Sequence, residues 1–96
     1  MKRSNQQSLG EAIREFLKTH RLEEKITETR TIAVWEKLMG KHITRYTRKV
    51  SLKNKVLTVY LSSSVLRSEL SHGKTKIREM LSKEVGEGTI EDIEFR

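Results

Sequence analysis

The chain has 96 residues, 34% of them apolar, no Cys and a formal charge of +7, with 20 Lys and Arg against 13 Asp and Glu. That length fits one small domain with a single modest core. Without Cys there can be no disulfide or thiolate metal site. No apolar run approaches the ~20 residues that span a bilayer, and Met1 to Gln7 lacks the apolar segment of a signal peptide. The reading is of a soluble cytoplasmic protein with no membrane partner. Residues 1–50 carry 12 basic and 6 acidic groups, and residues 51–96 carry 8 and 7. The chain is therefore basic at one end, while Glu84, Glu87, Glu91, Asp92 and Glu94 crowd the other. Such a balance points to nucleic acid or an acidic partner.

Residues 1–7 are polar and predict a flexible N-terminus, and 8–96 predict one domain. Ser8 and Glu11 have the spacing of a capping box. Leu9, Ala12, Ile13, Phe16 and Leu17 follow at helical spacing. The pattern predicts a first helix ending near Thr19 or His20. A polar connector from Arg21 to Glu28 then touches the core through Leu22 and Ile26. A second helix runs from about Glu28 to Met39, with Ile32, Trp35, Leu38 and Met39 on one face and Gly40 as its left-handed terminator.

Two extended runs follow, Ile43 to Leu52 and Val56 to Leu61, joined at Lys53-Asn54-Lys55. Parity places Tyr46, Val50 and Leu52 inward with Arg48 as a misfit, which a bulge or a sheet edge would relieve. It places Arg45, Lys49, Thr58 and Tyr60 together outside. Ser62 or Ser63 caps a third helix, read as unbroken to Gly86, with a break at Ser71-His72-Gly73 as the alternative. In the unbroken form, Gly73 on the apolar stripe would admit a close backbone. Thr89 to Phe95 is a last strand. The expected fold is α+β in the order α-α-β-β-α-β: a three-stranded mixed sheet packed on helices, its final strand parallel to the second through a crossover.

From Lys37 to Ser68 there is no Asp or Glu. The basic residues of that stretch are Lys37, Lys41, Arg45, Arg48, Lys49, Lys53, Lys55 and Arg67. They are the candidate nucleic-acid contacts, with Tyr60 as a base-stacking platform or, equally, a cross-strand packing partner. Trp35 reads first as a core anchor and second as a partner contact. His20, His42 and His72 have no metal-ligand spacing. No Gly-x-Ser-x-Gly elbow or phosphate-binding glycine loop occurs, and Ser62 to Ser64 reads as a helix cap. The expectation is a binding module that is not an enzyme and takes no cofactor, metal or small-molecule substrate.

Three segments in their order carry a resemblance. Val34 to Ile43 resembles a Trp-containing helix end closed by Gly40. Val56 to Leu70 resembles an L-x-V-x-hydrophobic-x-S segment that leads to E-L, here Glu69-Leu70, with Leu66 where an aromatic is frequent. Val85-Gly86 followed by Ile90 to Arg96 is similar to a closing G-x-x-x-I-x-x-I-x-x-R segment. Together they resemble the DciA-like family of small bacterial proteins over about residues 9–96. The resemblance implies a domain related to the type II KH architecture. It also implies a role beside the DnaB-type replicative DNA helicase, assisting its loading on single-stranded DNA. The zinc that some members' descriptions mention does not carry over to a chain without Cys. A Gly-x-x-Gly clamp is also absent. Three readings follow: a helicase accessory that binds single-stranded DNA, a purely protein-binding module, and an RNA-binding protein of translation or ribosome assembly.

Overall fold

The computed structural model describes residues 8–96, and the flexible terminus expected over residues 1–7 lies outside them. Six elements follow in order: α1 (Leu9–Arg45), β1 (Thr47–Lys53), β2 (Val56–Leu61), α2 (Ser64–His72), α3 (Lys74–Val85) and β3 (Asp92–Phe95). The sheet has the order β1-β2-β3. β1 and β2 are antiparallel, and β3 lies parallel to β2. The α+β class and the mixed three-stranded sheet are those expected.

The helices divide differently. The predicted connector over Arg21 to Glu28 is helical, so the first two predicted helices are one. No Gly or Pro interrupts the chain from Glu11 to Met39. The polar stretch is held by side-chain pairs at helical spacing, His20–Glu24 at 3.5 Å and Lys25–Glu28 at 3.7 Å. Polarity there marks a solvated helix, not a loop. At the start, Ser8 and Glu11 form the capping box, each accepting from the other's backbone N–H. Bonds from the Ser8 backbone and hydroxyl hold the Glu11 carboxyl below its ordinary pKa.

Gly40 departs from helical geometry, with φ 79° and ψ 175°. It kinks α1 without ending it, and a further turn runs on to Arg45. The first strand consequently starts at Thr47, not at Ile43. Asn54 and Lys55 both have positive φ, 52° and 66°, the two-residue hairpin geometry that matches strand twist.

The predicted unbroken third helix is broken at Gly73, the alternative reading. Gly73 ends α2 and precedes α3, with φ −101°. An added Cβ there would meet its nearest atoms at 3.9 Å. Gly73 therefore does not serve the close backbone approach expected of it.

The core gathers Trp35, Leu57, Val59, Leu61, Leu70, Ile77, Leu81, Val85, Ile90 and Ile93. These residues come from α1 beyond Thr31, the inner face of the sheet, and the helices on it. The front half of α1 takes no part. Leu9, Ile13, Phe16, Leu17, Leu22 and Ile26 are exposed, so the core contacts expected of Leu22 and Ile26 are not made. The long run of α1 before the Gly40 kink outruns the small body it packs on, and the molecule has extents of 63 × 24 × 19 Å. Polar contacts tie α1 to the edge strand: Glu28 Oε2 accepts the Leu52 backbone N–H at 3.0 Å, and Thr47 Oγ1 donates to the Ile43 carbonyl at 2.9 Å.

Candidate nucleic-acid interface

The β1–β2 register decides which side chains share a face. Val50 lies opposite Val59 and Leu52 opposite Leu57, on the core side. Lys49 opposite Tyr60, Ser51 opposite Thr58 and Lys53 opposite Val56 therefore point to the open side. Parity was read correctly for Val50, Leu52, Lys49, Thr58 and Tyr60. Thr47 faces inward, opposite Leu61, and Tyr46 is not a strand residue but the cap of α1.

The register slips between Thr47 and Lys49. Arg48 is the additional residue of this bulge, which turns it outward beside Lys49, and both are exposed. The misfit in the alternation is resolved as expected. Lys49 Nζ stands 5.8 Å from the centroid of the Tyr60 ring, a cation–π distance. Arg48, Lys49 and Lys53 form no ion pair among the described residues. Their positions make β1 the basic border of the open face.

The opposite border, β3, carries Asp92 and Glu94 on the same face, opposite Val56 and Thr58. These carboxylates are engaged. Asp92 pairs with Lys74 at 3.6 Å and Glu94 with Arg96 at 2.9 Å.

The other candidates are dispersed. Lys41 and Arg45 are exposed in the turn of α1 beyond Gly40, at the entry to β1. Arg45 is helical and does not belong to the strand face on which parity placed it. Lys37 pairs with Glu84 of α3 at 3.5 Å, on the helical side of the molecule. Lys55 pairs with Glu91 at 3.9 Å. Arg67 is half-buried and donates from Nη2 to the Leu61 carbonyl at 3.2 Å, joining α2 to the end of β2. Trp35 is fully buried, packs on Phe95 with 6.1 Å between ring centroids, and offers no surface to a partner. Its Nε1 has no hydrogen-bond partner among the described residues.

The fold is that of a small α+β domain whose sheet has a basic border at β1, with an aromatic side chain across from it. Among the described residues no helix is long and apolar enough to cross a membrane. The chain belongs to the family described as Dna[CI] antecedent, DciA, whose profile it matches over residues 8–95. That family is associated with loading of the DnaB-type helicase in bacterial DNA replication and is an accessory family, not a known enzyme family. No curated protein matches the chain.

Proposed function

We propose that this protein is a non-enzymatic accessory of DNA replication. In this reading it binds single-stranded DNA while the DnaB-type helicase loads on or engages it, in the cytoplasm and at the nucleoid. Arg48, Lys49 and Lys53 hold phosphates along β1. Lys41 and Arg45 extend the contact at the entry to the strand, and Tyr60 stacks a base. The observation that carries the reading is the cross-strand pair of Lys49 and Tyr60, at 5.8 Å, with Arg48 turned out beside it by the bulge. A cation and a ring on one open face suit a strand whose phosphates and bases are both accessible. One aromatic among Lys and Arg suits binding without base reading.

Fluorescence anisotropy with labelled oligo(dT), the matching duplex and oligo(U) tests this. The double reversal Arg48→Glu and Lys49→Glu is expected to weaken oligo(dT) binding at least about tenfold at low salt. Unchanged affinity rejects the assigned face, and a clear preference for oligo(U) moves the function to RNA.

A second reading, a protein-binding module that makes no DNA contact, is favoured by the exposed Leu9, Ile13, Phe16 and Leu17 of α1. Co-purification with the helicase, without oligonucleotide binding at physiological salt, selects it.

A further inference from the structure

The front half of α1 carries a second set of cations. Arg14, Lys18, Arg21 and Lys25 follow at i, i+4, i+7 and i+11, which places them on one face of the helix. Lys25 is paired with Glu28. Arg14, Lys18 and Arg21 are exposed and form no ion pair among the described residues.

The acids of the same stretch divide: Glu11 and Glu28 lie near the cationic face, where each accepts a backbone N–H, and the others lie off it. Glu11 is held in the capping box by Ser8. Glu24 lies 3.5 Å from His20 Nε2, about a quarter-turn from the cationic face. Glu28 spends its two oxygens on the Leu52 N–H and on Lys25. At 3.6 residues per turn, Glu23 falls on the far side of the helix and Glu15 about a quarter-turn away. The charges of this segment nearly cancel by count, and the four cations share one face while Glu15, Glu23 and Glu24 lie a quarter-turn or more from it.

This face meets the sheet border. Arg21 and Lys25 of α1 line a shallow surface depression of ≈ 350 Å³ together with Lys53 and Asn54 of the hairpin. Glu24 and Glu28 also line it, Glu28 bonded to the Leu52 N–H and paired with Lys25. A chain lying along β1 therefore finds its next unpaired cation on α1. From Arg21 to Arg14 the helix rises about 10 Å, close to three stacked nucleotides at ~3.4 Å per step.

We infer that Arg14, Lys18 and Arg21 form a phosphate rail that carries a single strand off the sheet at Lys53 and along the projecting part of α1. The inference rests on the proposed function, because it extends the path of the same ligand. The rail adds contacts to the backbone only, without base reading.

The test uses the full chain and oligo(dT) of about 4 to about 16 nucleotides, the span of single-domain site sizes. Affinity is read between roughly 50 and 200 mM salt. The variant is Arg14→Gln, Lys18→Gln and Arg21→Gln together. Gln keeps helix propensity, and circular dichroism checks that α1 is intact.

The wild type is expected to gain affinity with length until the strand reaches Arg14, and the variant to stop gaining earlier. The variant should also lose about 2 from the slope of log K against log salt, at about 0.7 per phosphate. Failure of the wild type to bind at any length overturns the proposed function and the rail together. Binding by the wild type, with slope and length dependence unchanged in the variant, overturns the rail alone. So does sedimentation with anionic lipid vesicles that the variant loses while its DNA slope stays the same, which would assign the face to a membrane surface.

Discussion

Trp35 is the residue on which the fold closes. It is fully exposed to the core and not at all to water, against Phe95 at 6.1 Å. Truncation to Ala removes the largest buried side chain and should cost about 3–5 kcal/mol in urea unfolding. Trp35→Phe should cost clearly less, because it keeps most of the volume and removes an indole N–H that has no partner among the described residues. Phe16→Ala, on a side chain 67% exposed, should stay within about 0.5 kcal/mol. A loss at Phe16 comparable to that at Trp35 would mean that the front half of α1 is packed in solution. From spacing alone Phe16 and Trp35 looked alike, each on an apolar stripe. Burial separates them, and burial depends on where the body of the domain ends along a helix, which no local pattern encodes. The reverse holds for Arg48. Its misfit in the alternation was visible from parity, and the bulge that resolves it was foreseeable because an unpaired guanidinium does not belong on a core face.

Two glycines interrupt helices for different reasons. Gly40 has φ 79° and ψ 175°, backbone that a residue with Cβ adopts only under strain. Gly40→Ala should cost about 1–3 kcal/mol although nothing lies within 4 Å of the added methyl. Gly73 has an ordinary negative φ and room for a methyl, so Gly73→Ala should be neutral or should stabilise by about 0.4–1 kcal/mol. Paired thermal unfolding of the two variants checks the contrast, and equal destabilisation would refute it. The hairpin, its turn and the parallel last strand were legible because each rests on local chemistry: alternation, a positive-φ Asn, and the crossover rule. Helix boundaries were not. A run of Arg, Glu, Lys and Leu forms helix as readily when it faces water on all sides as when it lines a core.

At the scale of the molecule, the acid-free stretch from Lys37 to Ser68 is plain in the sequence, but its distribution in space is not. Exposed ion pairs between residues far apart in the chain set Lys37 beside Glu84 and Lys55 beside Glu91. Arg67 is drawn onto the Leu61 carbonyl. What remains free is concentrated on β1, with Tyr60 across from it and the acids of β3 engaged by Lys74 and Arg96. The cations on α1 are masked in the linear sequence by interleaved Glu residues, and the helical period brings Arg14, Lys18, Arg21 and Lys25 onto one face. In this account a single strand crosses the sheet at β1 with a base on Tyr60. Ultraviolet cross-linking of an iodouracil-substituted oligo(dT), followed by mass spectrometry of the peptides, tests that most directly. The account predicts the cross-link at Tyr60 and its loss in Tyr60→Leu. Cross-links at Tyr46 or Phe16 with none at Tyr60 would contradict it.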